Sequence, residues 1–129
     1  MFNKIRGYVM NNKQTYFYTL TGFSDPDQVA VPIVLANAVL AMGSDAILWT
    51  TLEGVYLSKK GAVDDMVAPS FSPIKELLDQ FTEAGGRIGV CPACAKTHEV
   101  TDDNLVDNGL WMGAAAVQEA LHNRNTMTF

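Results

Sequence analysis

Two spacings of apolar residues alternate along this chain, and they predict alternating strands and helices. Thr15 to Thr21 (TYFYTLT) is aromatic and β-branched, which suits a strand. Asp25-Pro26 then offers a helix cap and a proline fit for the first helical position. Val29, Ile33, Ala36 and Leu40 follow at helical spacing, with Gly43 as the stop. Pro32 breaks that pattern, predicting either a kink near the helix start or a later start. Asp45 to Thr51 (DAILWTT) reads as a second strand. A short helix is expected from Glu53 to Gly61, and a loop over 61–72. Ser72-Pro73 repeats the cap-and-proline signal. Ile74, Leu77, Leu78 and Phe81 form one apolar face, closed by Gly85-Gly86. Arg87 to Val90 reads as a third strand running into Cys91, with a short helix or turn through Pro92 to Lys96. Leu110, Ala114, Val117 and Leu121 mark a last helix, and Asn125 to Phe129 (NTMTF) a terminal strand.

This order predicts an α/β fold: a three-layer structure with a mainly parallel sheet and helices on both faces. In such sheets chemistry gathers at the carboxyl ends of the strands. That rule singles out three stretches, residues 22–25, 51–54 and 91–94. The expected organisation is one domain over residues 15–129 behind a polar, loose or partly extended arm at 1–14.

Composition narrows the partners. With 129 residues and 48% hydrophobic content, the chain can bury a core without disulfides or metals. A net charge of -5 disfavours nucleic acid, because an acidic surface repels phosphate backbones. Low charge and a mean hydropathy of +0.07 favour apolar contact between subunits. Val29 to Met42, the longest apolar region, carries Asn37 and is too short to cross a bilayer, so no membrane role is expected. Residues 1–14 lack the apolar run of a signal peptide, and a cytoplasmic location is expected.

The chain has two cysteines, Cys91 and Cys94, in the tetrapeptide CPAC. In a reducing compartment such a pair points to redox, metal or sulfur chemistry rather than a structural staple. If a helix begins at Pro92, its free N–H groups face the Cys91 sulfur and favour thiolate. Four readings compete. Both cysteines can be small buried hydrophobes. Cys91, Cys94 and His98 form a C-x2-C-x3-H run, but a closed zinc site needs a fourth ligand, and His122 lies far off in sequence. A thioredoxin-like dithiol has this form, but no proline follows Pro92. The fourth reading is a single nucleophile that carries sulfur as a persulfide, which spacing cannot separate from a dithiol.

From Thr15 onward the chain resembles the DsrE/DsrF-like family, which includes sulfur-relay subunits of the TusBCD type. TLTGFSDPDQVAVPIVLANAVLAMG is similar to the family's opening, and ILWTTLEGVYLSKKG to its second strand and the segment after it. SFSPIKELLDQFTEAGGRIGVCPACAKTHEV resembles its helix, third strand and active cysteine. DNLVDNGLWMGAAAVQEAL and NTMTF complete the ordered match. The resemblance implies a parallel α/β sheet, assembly as a homo-oligomer (trimer or hexamer), and no organic cofactor. It implies that Cys91 carries sulfane sulfur as a persulfide, taken from a protein donor and passed to an acceptor thiol. Cys94 is an additional cysteine and a possible second thiol. Family members that lack the cysteine have no transfer role.

Around the pair, Glu53 and His98 are auxiliary candidates, Glu53 to tune the thiol and His98 as a base. Each has a blander reading, as a capping or solvated carboxylate and as a surface histidine. Trp49 and Trp111 read as core or subunit contacts, and Gly22 and Gly54 as places where a ligand could approach the backbone. The leading expectation is a sulfur carrier or sulfurtransferase acting by thiol–persulfide exchange. The alternatives are a thiol–disulfide redox protein using both cysteines, and a non-catalytic oligomeric binding subunit.

Overall fold

The computed structural model describes residues 3–5, 8–10, 14–122 and 126–129. Asn3–Ile5 (β1) pairs antiparallel with Tyr8–Met10 (β2), so the described part of the expected arm forms a small two-stranded sheet of its own. The main sheet has five parallel strands in the order β6-β5-β4-β3-β7. These are β3 (Thr15–Leu20), β4 (Asp45–Thr50), β5 (Arg87–Val90), β6 (Gly109–Trp111) and β7 (Thr126–Thr128). Asn125, the first residue of the expected terminal strand, lies outside the described residues.

Helix α1 (Pro26–Ala41) starts where the cap signal put it. The Asp25 side chain accepts from the Asp27 N–H at 3.0 Å, and Pro26 fills the first turn. The helix runs through Pro32, so the later start is not taken. Buried Val29, Ile33, Ala36 and Leu40 supply tertiary contacts that offset the hydrogen bond lost at the proline. Helix α2 (Ile74–Glu83) differs at its start. Ser72 does not cap it; Pro73 occupies the cap position without a side-chain hydrogen bond. Both helices end on a glycine in the left-handed region, Gly43 at φ 90° and Gly85 at φ 93°. At each end the next two N–H groups return to the last turn, Gly43 to Leu40 and Ser44 to Val39, Gly85 to Thr82 and Gly86 to Phe81.

Period-two alternation along the strands splits the core between the two faces of the sheet. Tyr18, Leu20, Ala46, Leu48, Ile88 and Val90 pack with α1 and α2 on one face. Phe17, Ile47 and Met112 meet Val117 of α4 (Ala114–Leu121) on the other. The three layers are therefore those expected.

Two elements depart from the sequence expectation. The chain forms a fifth strand, β6, where a helix was expected to begin at Leu110. The last helix begins only at Ala114, after an extended Gly113. The segment after β4 is a 3-10 helix, Leu52–Ser58, starting one residue earlier and ending three earlier than expected. Among the described residues no helix is long and apolar enough to cross a membrane.

Candidate functional site

The carboxyl ends of β4 and β5 lie side by side, with Thr50 in register with Val90. The Cys91 N–H extends that ladder to the Thr50 carbonyl at 3.0 Å, which fixes Cys91 at the tip of β5. The chain then turns into helix α3 (Pro92–Thr97), with Cys91 at its cap position and Pro92 in its first turn, as expected. The Ala95 N–H bonds back to the Cys91 carbonyl at 2.9 Å and the His98 N–H to the Cys94 carbonyl at 3.1 Å. One turn of helix thus brings Cys94 back over Cys91, and both thiols are free and partly exposed. This sets aside the reading of two buried hydrophobes.

The polar contacts converge on Cys94. Thr51 Oγ1 lies 3.3 Å from its sulfur. The Leu52 backbone N–H and the Cys91 side chain also favour its thiolate form. Burial by itself would push the Cys94 thiol up, but these three groups outweigh it and leave its pKa below the ordinary thiol value. The Cys91 side chain makes no capping hydrogen bond to α3.

Leu52 is held in an unusual way. Its φ of 51° is in the left-handed region, although the side chain is branched and 59% exposed. Such a conformation costs about 1–3 kcal/mol and persists only where the surroundings impose it. Here the Thr51 N–H bonds to the Leu20 carbonyl at 3.0 Å, and the Gly54 N–H reaches Thr21 and Thr51. The 3-10 helix is thereby tied to the end of β3, which holds Thr51 and Leu52 beside the sulfur.

Leu52, Ala93, Cys94, Thr97 and His98 line a shallow depression of about 260 Å³. His98 therefore stands beside Cys94. Its Nδ1 lies 3.1 Å from the Tyr56 hydroxyl and its ring 4.9 Å from the Tyr56 ring, so this edge of the site is an aromatic contact. Glu53 is exposed on the 3-10 helix, and its carboxylate takes no part in the hydrogen bonds around the sulfurs. Lys96 lines a hollow on the opposite face of α3, with Pro92, Ala95, Val100 and Trp111. Among the described residues no group of three or more His, Cys, Asp and Glu is placed to hold a metal ion. Gly54 makes room for the backbone of β3 rather than for a ligand, since a Cβ there would sit 2.3 Å from the Leu20 carbonyl oxygen. Trp49 packs against the smaller core cluster and donates to the Met112 carbonyl at 3.0 Å, while Trp111 is exposed and donates to Asp102 at 2.7 Å.

Two expectations follow from the environment of Cys94. Thr51→Val keeps the shape and removes one donor. It should raise the pH at which Cys94 titrates and slow its alkylation at neutral pH roughly 5-fold, the equivalent of the ~1 kcal/mol of one hydrogen bond. Peptide-mapped alkylation against pH reads both, and an unmoved Cys94 profile would refute the role given to the hydroxyl. The second concerns stability. Because folding lowers the Cys94 pKa, its contribution is complete above the ordinary thiol value. It shrinks as pH falls and is gone below the folded-state value. Chemical unfolding of wild type and Cys94→Ser across that alkaline window should show stability rising with pH only in wild type, relative to the variant.

The sequence profile of the DsrE/DsrF-like family matches residues 14–129. Among curated proteins, the chain is 21% identical over 112 residues to an uncharacterized protein of Methanocaldococcus jannaschii, MJ0760. That alignment covers 87% of this chain but 41% of the relative, so the chain spans less than half of that protein's length. The ychN protein of E. coli superposes with a TM-score of 0.73 at 13% identity, over 92% of this chain and all of that one. MTH1491 of Methanobacterium thermoautotrophicum, a protein of unknown function, gives 0.68 at 12% identity over the same shares. These structural likenesses establish the fold.

Proposed function

The chain belongs to the DsrE/DsrF-like family, and from that premise we propose that it is a sulfur carrier holding sulfane sulfur on Cys91. The observation that carries the reading is a pair of free, partly exposed thiols one helical turn apart at the carboxyl end of β5. The Cys91 thiolate attacks the outer sulfur of a donor persulfide, and the donor thiolate leaves. The sulfur then rests on Cys91 until an acceptor thiol takes it. Protein thiols are the expected donor and acceptor, since a shallow, open site suits exchange between surfaces. Assembly as a trimer or hexamer belongs to the same proposal, and sedimentation of the purified chain checks it.

The test supplies one equivalent of a small-molecule persulfide and counts the sulfur that leaves it, whether retained on the protein or released as sulfide. Wild type should take up one sulfur per chain. Cys91→Ser should lose at least ~10³-fold in rate, the scale of removing a covalent nucleophile. Uptake by Cys91→Ser at the wild-type rate, or none by wild type, would sink the proposal.

The placement of two free cysteines one helical turn apart favours a second reading, a thiol–disulfide redox protein. It predicts a reversible Cys91–Cys94 disulfide with a measurable potential and no uptake of sulfane sulfur.

A further inference from the structure

A carrier needs one thiol, yet the hydrogen bonds of this site are gathered around the other. Thr51 and the Leu52 N–H reach Cys94 from the end of β4, and the Cys91 thiol reaches it from within the same turn. Leu52, in the left-handed region, stands at the turn beside that sulfur. Donors beside a sulfur hold the negative charge of a thiolate, so Cys94 is poised as the second nucleophile of the pair. Its nearest electrophile, once Cys91 is loaded, is the Cys91 persulfide.

Resting on the carrier reading, we propose that Cys94 resolves the Cys91 persulfide, releasing the carried sulfur as hydrosulfide and leaving a Cys91–Cys94 disulfide. The Cys94 thiolate attacks the inner sulfur, Sγ of Cys91. The bond from that Sγ to the outer sulfur breaks, and the outer sulfur departs with the bonding pair and its proton as hydrosulfide. The sulfane sulfur gains two electrons, and the two cysteine sulfurs lose them as they join. A dithiol reductant then reopens the disulfide by thiol exchange, becoming a disulfide itself. Partial exposure of both cysteines leaves the bond open to that attack. The site thus ends a sulfur-transfer sequence by reduction rather than passing the sulfur on.

The experiment adds one equivalent of glutathione persulfide to reduced wild type and to Cys94→Ser, then follows intact mass and free sulfide. Wild type should end two hydrogens lighter, with one hydrosulfide released per chain and no retained sulfur. Cys94→Ser should keep one extra sulfur on Cys91 and release sulfide at least ~10²-fold more slowly, because the intramolecular attack is gone. A wild-type Cys91 persulfide as long-lived as that of Cys94→Ser overturns the inference and leaves the carrier reading standing, whereas a persulfide found on Cys94 overturns both. Failure of both proteins to take up sulfur defeats the carrier reading itself. Thr51→Val separates a tuned thiolate from mere proximity. It should slow sulfide release roughly 5-fold, the equivalent of one lost hydrogen bond, and move the pH profile of release upward. An unshifted release profile counts against the proposal.

Discussion

Truncating Phe81 to alanine should lower the unfolding free energy by about 3–5 kcal/mol, a large part of the ~5–15 kcal/mol that holds a domain together. Phe81 is fully buried near the end of α2. Its ring lies against the backbone of Gly86, where an added Cβ would come within 2.5 Å of the ring carbons. That contact joins the helix terminus to the start of β5, the strand that carries Cys91. It also makes the effect testable as a pair. Gly86→Ala should destabilise wild type by about 1–3 kcal/mol through overpacking. In the Phe81→Ala background the same methyl enters vacated space and should be close to neutral. Denaturant unfolding of the four proteins, with slopes held equal, measures the coupling. Additive losses would show that the ring and Gly86 do not share one packing site.

The layers were readable because the strands and helices here use strong local signals. Asp25-Pro26 sets the start of α1 and Gly43 and Gly85 end their helices, all through local backbone chemistry. Strand β6 escaped because it has only three residues, begins with glycine and leaves Leu110 and Trp111 exposed. Its existence depends on partners far away in sequence, Ile88 with Gly109 and Val90 with Trp111. The helical spacing of Leu110 with Ala114 and Val117 is coincidental, since the helix starts after Gly113. Ser72 looked like a cap because serine before proline often is one, yet Pro73 takes that place.

The site was half readable. The cysteine spacing and the strand-end rule placed Cys91 and Cys94 together, and the same rule marked residues 51–54. It did not distinguish Thr51 as a donor to sulfur. Nothing local in a leucine announces a left-handed backbone, because tertiary hydrogen bonds at Thr51 and Gly54 impose it. For the same reason the sequence favoured Cys91 as the tuned thiol. A helix start is visible in the chain, whereas donors arriving from the neighbouring strand are not. Glu53 and His98 were chosen by nearness in sequence. His98 does stand beside Cys94 but is turned to Tyr56, and Glu53 faces solvent.

Gly54→Ala should be damaging twice over, to stability and to the chemistry of Cys94. The added Cβ would lie 2.3 Å from the Leu20 carbonyl oxygen and 2.9 Å from its carbon, and backbone in a buried strand has no room to give. Relief requires the 3-10 helix to lift from β3, which costs about 1–3 kcal/mol as overpacking. The same Leu20 carbonyl accepts from the Thr51 N–H, so the lift also pulls on the residues that hold the sulfur. Thr51 and Leu52 then lose their aim, and the Cys94 pKa climbs back towards that of an ordinary thiol. Alkylation of Cys94 at neutral pH should fall roughly 30-fold, the equivalent of about twice the free energy of one lost ~1 kcal/mol hydrogen bond. Circular dichroism at low temperature confirms that the variant measured is folded. Leu52→Gly is the contrasting change. It removes the strain of a left-handed leucine and leaves the backbone N–H in place, so Cys94 should keep its reactivity. If Gly54→Ala remains folded with Cys94 alkylating at the wild-type rate, the tie between the 3-10 helix and β3 is not what positions the donors. If both variants lose reactivity alike, the leucine side chain, rather than its backbone, is what the sulfur depends on.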